Sequence, residues 1–189
     1  LGSDRPFSPE WLRTETIGRQ VGNYPLSLYP VSGRGNKVVE ALPKQQQERI
    51  EWGLRAVHEI QRSGPLEKIL TDFGYGQDDV SVHNYWEENP VVEIDQPAVK
   101  WLALASPAKN QALIVMASWS EEKVLFPEIT FKISALGLKG KNLLIFDAET
   151  NTPLAGQTRS AEATAYSQVT LRVELAGPYG VKLLRLQGQ

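Results

Sequence analysis

At 189 residues, with 41% hydrophobic and 22% charged side chains, the chain has an average globular composition and room for one domain, or one compact domain plus an appendage. Its net charge is −2 with acidic and basic residues interspersed, so no Lys/Arg cluster exists to track a phosphate backbone and nucleic acid is not an expected partner. The absence of cysteine rules out disulfides and thiolate metal sites, and no apolar run reaches the roughly 18 residues that a membrane span needs.

The opening segment, LGSDRPFSPEW, has neither the basic nor the apolar region of a signal peptide. The single methionine, Met116, falls within a predicted strand, so a processed product or a piece of a longer protein is expected, with an active site missing. Residues 1–43 predict one short helix, Pro9 to Thr14, with Ser8 as N-cap and Pro9 at the first helical position. The remainder is rich in Gly and Pro (Gly18, Gly22, Pro25, Pro30, Gly33, Gly35), yet Trp11, Tyr24 and Tyr29 need a surface to cover. The segment therefore either wraps its own domain or lines a neighbouring one. Gly33-Arg34-Gly35-Asn36 lacks the lysine and the strand-to-helix setting of a P-loop.

Pro43 to Ser63 predicts the longest helix, with Ile50, Trp52, Leu54, Ala56, Val57 and Ile60 filling about half of its wheel. Such a wide apolar arc implies packing on two sides. His58 falls among charges on the polar arc, which predicts a solvated or ion-paired histidine. Gly64-Pro65 ends this helix, and a second runs from Leu66 to Phe73 with Gly74 as its cap. Asp72-Phe73-Gly74 lacks the companion motifs of a kinase and reads as a helix end.

Residues 75–98 form a polar junction in which His83, Tyr85, Trp86, Glu87 and Glu88 are the densest set of reactive side chains. Adjacent carboxylates cannot straddle a glycosidic bond, which needs facing carboxyl groups about 5 Å or more apart. Asp72, Asp78 or Asp79 could supply a partner only if the fold brought one near. His83 with Glu87 is a weak metal pair. Tyr85 and Trp86 beside Glu87 and Glu88 suit sugar recognition, with rings stacking on a pyranose and carboxylates accepting from its hydroxyls. The competing expectation is that the aromatics fill a seam between the helical and β parts.

From Val80 onward the pattern is β. Ala112 to Ala117 is unbroken apolar, as in a strand buried on both faces, whereas Ile129, Phe131 and Ile133 alternate with Glu128, Thr130 and Lys132. Trp101 shares a face with Val99 and Ala103 and is expected in the core; Trp119 ends a strand beside Ser118 and Ser120 and is expected to be exposed. Asn142 to Phe146, Val169 to Leu175 and Val181 to Leu186 supply further strands, and residues 155–167 read as a surface loop. Six to eight strands at roughly 10–15-residue spacing indicate an antiparallel sandwich. The fold class is thus α+β: an antiparallel β-sandwich over 76–189, preceded by a small helical, loop-rich part over 1–75.

The run Trp52-Gly53-Leu54-Arg55, Tyr85-Trp86, Ala117-Ser118-Trp119-Ser120, Leu136-Gly137-Leu138 and Asp147-Ala148-Glu149-Thr150 resembles the last barrel helices and the C-terminal β-sandwich of large glycoside-hydrolase-like proteins related to family 123. The resemblance covers roughly residues 45–189. In that setting the catalytic carboxylates belong to the barrel's C-terminal face, so no catalytic residue carries over to this chain. It implies a non-catalytic module that supports or docks a catalytic barrel, with a preceding domain or partner chain as its partner. The alternatives are a carbohydrate-binding module using Tyr85, Trp86, Glu87, Glu88 and Trp119, and a glycosidase using Glu87 or Glu88. No cofactor or metal is expected, and a carbohydrate role implies export.

Overall fold

The computed structural model describes residues 7–16, 31–33, 35–60, 63–140, 142–154 and 168–189. Tyr24, Tyr29 and the predicted loop over 155–167 lie outside them. The described chain is an α+β protein built on an antiparallel sandwich, with its helices before the strands.

Helix α1 (Pro9–Thr16) begins at Ser8, whose Oγ accepts the Trp11 N–H at 3.1 Å. A one-turn helix, α2 (Lys37–Glu40), is capped by Asn36, whose side chain accepts from the Val38 and Val39 N–H groups. Helix α3 (Lys44–Ala56) and helix α4 (Glu67–Phe73) follow, the latter closed by Gly74 at φ 113°. That left-handed cap is the one Asp72-Phe73-Gly74 suggests.

The strands are β1 (Ser81–Asn84), β2 (Val92–Ile94), β3 (Val99–Ser106), β4 (Gln111–Ser118), β5 (Val124–Leu125), β6 (Glu128–Lys132), β7 (Leu143–Asp147), β8 (Thr152–Pro153), β9 (Gln168–Arg172), β10 (Leu175–Ala176) and β11 (Val181–Gly188). Six of them form one sheet in the order β1-β3-β4-β11-β7-β8, every neighbouring pair antiparallel. A three-stranded sheet, β2-β6-β9, and a β5-β10 ribbon make the opposing layer.

The large sheet is covered on both faces. Trp101, Ala103, Ile114, Met116, Leu184 and Leu186 pack towards Ile129, Phe131 and Leu171 of the small sheet. Leu102, Leu104, Leu113, Val115 and Leu183, alternating with them, pack under the helices against Leu54, Ile60 and Leu70. Helix α3 lies close on β11 because of Gly53: a methyl there would come within 2.4 Å of Val181 Cγ2.

The two-sided packing expected of α3 is met within this chain: its second side is covered by Leu12, Val39, Leu66 and Leu70, and Trp52 and Ile60 are only 3% and 1% exposed. The width of the apolar arc is therefore accounted for without a missing neighbour. Two expectations are corrected. The stretch from Val124 to Ile133, which the sequence presents as one strand alternating towards its end, is two strands, because Pro127 has no N–H to offer a ladder; β5 pairs with β10 and β6 with β2 and β9. Trp119 is half-buried rather than exposed.

Candidate functional site

The junction between the helices and the large sheet gathers the aromatics around His58. Helix α3 stops at Ala56, and the chain makes a tight turn in which the N–H groups of His58 and Ile60 both donate to Arg55 O at 3.1 Å and Glu59 takes φ 55°. That turn removes His58 from the helical wheel and points it inward. It is 1% exposed, not solvated as the wheel predicts.

The buried imidazole is fully engaged. Each ring nitrogen faces a carbonyl oxygen, which only accepts: Leu54 O at 3.0 Å from Nδ1 and Pro9 O at 3.2 Å from Nε2. The shorter contact, with a hydroxyl beside Nε2 that can donate to it, favours the proton of the neutral ring on Nδ1. Nε2 is then an acceptor for the Tyr85 O–H at 2.9 Å, while Pro9 O lies 3.3 Å from the tyrosine oxygen. Burial is the largest influence on His58 and holds its pKa below the ordinary 6.5; the Leu54 and Pro9 oxygens oppose this, the Lys100 charge adds to it and Glu10 opposes it. Burial likewise pushes the Tyr85 phenol up, Glu10 adds to that and Arg13 opposes it.

Three aromatic side chains surround the imidazole. Tyr85 and Trp119 meet it edge-on at 5.5 and 5.3 Å, and Trp86 lies near-parallel at 6.1 Å. Tyr85 and Trp86 contact each other edge-on at 4.8 Å. Trp119 Nε1–H donates to Phe7 O at 2.8 Å, so the N-terminal segment is tied to the seam through a backbone oxygen. Lys100 Nζ sits 5.1 Å from the Tyr85 ring centre, within cation–π range. At the rim, Trp11 stacks on Phe7 at 4.5 Å and is 45% exposed.

The structure thus brings together Tyr85, Trp86 and Trp119, three of the five residues that the sequence nominates for sugar binding. Glu87 stands beside them but is engaged locally: Oε1 accepts the Asn84 N–H at 2.8 Å and Oε2 lies 3.4 Å from His83 Nδ1. Glu88 is exposed. Of the carboxylates proposed to oppose them, Asp72 is paired with Lys68 at 2.6 Å on the surface of α4, and Asp78 and Asp79 are exposed in the turn between α4 and β1. Glu59 closes the junction, accepting from Asn84 Nδ2–H and from the Tyr75 O–H, each at 3.0 Å. Nothing in the wheel signals His58; the cue that could have found it is the early end of α3.

Elsewhere, a groove of about 1300 Å³ runs beside α3 and is lined by charged groups engaged with one another, including Arg49 with Glu149 and Arg55 with Glu51. Among the described residues no group of three or more His, Asp and Glu is placed to hold a metal ion, and no helix is long and apolar enough to cross a membrane.

Fold and site define a helix-covered β-sandwich protein with an aromatic seam centred on a buried histidine. No protein-family model matches the chain, and no curated protein matches it either.

Proposed function

We propose that this chain is the β-sandwich module of a carbohydrate-active, glycoside-hydrolase-like protein of the type related to family 123, supporting or docking a catalytic barrel rather than cleaving glycosidic bonds. The observation that supports this best is the direction of the junction's side chains. His58, Tyr85 and Trp119 direct their polar atoms at one another or at the chain's own backbone, as a packed seam does. Glu87, bound to Asn84 and His83, does not face a second carboxylate through any of its bonds. The test is the purified chain assayed on a panel of chromogenic glycosides. The expected result is no release of aglycone; cleavage that disappears in Glu87→Gln or Glu88→Gln would overturn the proposal in favour of a glycosidase.

A second reading, a module that itself holds sugar, is favoured by the seam's rim, where Trp11 is 45% exposed, Glu88 is exposed and Trp86 is half-buried. Tryptophan fluorescence titrated with polysaccharides distinguishes the two. A saturable change that is lost in Trp86→Ala supports sugar binding, and a flat response across the panel removes it. If the carbohydrate role holds, export to the periplasm or the cell exterior is expected.

A further inference from the structure

The edge of the large sheet carries a second cluster, separate from the His58 seam. On β1, Ser81 and His83 are two residues apart and so share a face of the strand. Ser81 Oγ lies 3.2 Å from His83 Nε2 and 3.4 Å from the Ala105 carbonyl oxygen, the nearer of the two acceptors being the imidazole, and His83 Nδ1 lies 3.4 Å from Glu87 Oε2. Glu87 is returned to this position by the turn after β1, in which its N–H donates to Asn84 O at 3.1 Å and its Oε1 accepts the Asn84 N–H at 2.8 Å. The carboxylate favours the tautomer with the proton on Nδ1, which leaves Nε2 with a lone pair aimed at a hydroxyl. The three side chains are reachable: Ser81 is exposed, and His83 and Glu87 keep 22% and 34% of their side-chain surface.

From this geometry we infer a Ser81–His83–Glu87 acyl-transfer site that takes carboxylic esters. Nucleophile, base and orienting carboxylate stand in hydrogen-bonding sequence, with the slack expected before a substrate tightens it. β1 is an edge strand, paired among the described residues with β3 alone, and the Asn84 N–H turns away from β3 and is taken by Glu87. Alternation along the strand directs the Val82 N–H, directly after Ser81, to the same open edge, and it is the donor proposed for the ester oxygen.

The steps balance without a cofactor. Ser81 Oγ adds to the ester carbonyl carbon as its proton passes to His83 Nε2. The bond to the alcohol oxygen breaks as His83 returns that proton to it, leaving an acyl group on Ser81. His83 then takes a proton from water as the water attacks the acyl carbon, and the carboxylic acid departs as Ser81 regains its hydrogen. Ser81 and His83 are the catalytic residues, and Glu87 is a positioning residue. The inference is independent of the carbohydrate reading, since glycoside cleavage and sugar binding are measured by other assays.

The experiment has two arms on the same protein: hydrolysis of p-nitrophenyl acetate, and labelling by a fluorophosphonate followed by peptide mapping. The expected result is hydrolysis above the buffer blank and a phosphonate adduct on Ser81. Ser81→Ala and His83→Gln should fall to the blank. Glu87→Gln should lose about tenfold or more in kcat with KM unchanged, which a purely structural role would not produce. All three positions are exposed or half-exposed, so thermal unfolding is expected to stay near wild type and to separate lost chemistry from lost fold. No hydrolysis by the wild type, hydrolysis that survives Ser81→Ala, or an adduct on another serine such as Ser120 each overturns the inference.

Discussion

Replacing His58 by Ala destabilises the protein by about 2–4 kcal/mol, measured as a shift in the urea midpoint at neutral pH. The change leaves a cavity among Tyr85, Trp86 and Trp119, deprives Leu54 O of its donor and deprives the Tyr85 O–H of its acceptor. Acid has a related effect. Because burial holds the folded pKa of His58 below the 6.5 of the unfolded chain, the folded state binds the proton less readily than the unfolded one. The contribution is therefore fully present above 6.5 and is lost as pH falls through 6.5 towards the folded value. In His58→Gln that part of the pH dependence is expected to vanish; a slope below 6.5 that persists unchanged would assign it to another group. Asp147 is not a rival in this window. Burial alone would raise its pKa, but Lys182 at 2.5 Å and the Thr150 and Glu149 N–H groups hold it below 3.8, so its contribution is lost only at still lower pH.

The second large effect is expected at Phe131. Truncation to Ala removes a ring that is 0% exposed at the centre of the small sheet, at a cost of about 3–5 kcal/mol. Phe126 lies five residues earlier, before Pro127, but is 58% exposed, and Phe126→Ala is expected to change stability by no more than about 0.5 kcal/mol. Equal urea midpoints for the two variants would contradict the placement of the β5–β6 break.

That break shows where periodicity carries information and where it does not. Strands buried on both faces were legible: Ala112 to Ala117 has no polar residue to assign to solvent, and β4 is covered on each side. The Trp101 face was legible from strict alternation. Phe126 and Phe131, in contrast, differ in burial because Pro127 interrupts the ladder between them, so one register cannot be extended through it. His58 was misplaced for the equivalent reason in a helix, since the wheel was continued past the residue where the helix ends. The aromatic grouping was legible only in part. Tyr85 and Trp86 are neighbours in sequence, but Trp119 reaches them through the β3–β4 pairing and Phe7 through a hydrogen bond 112 residues away. Ser81, at an ordinary strand position, stands out only once Glu87 is folded back on His83.

Strand β4 has a partner on each side, β3 and β11, and an apolar layer above and below. Its amide protons cannot meet deuterium by fraying at an edge or by the lifting of a single layer, because the other layer and both flanking strands still shield them. The isotope uptake of Leu113, Ile114 and Val115 is therefore expected to track global unfolding, while β1 and β8 at the sheet's margins exchange far sooner. The centre of this sheet serves as an internal gauge of the whole molecule's stability, readable residue by residue without any denaturant.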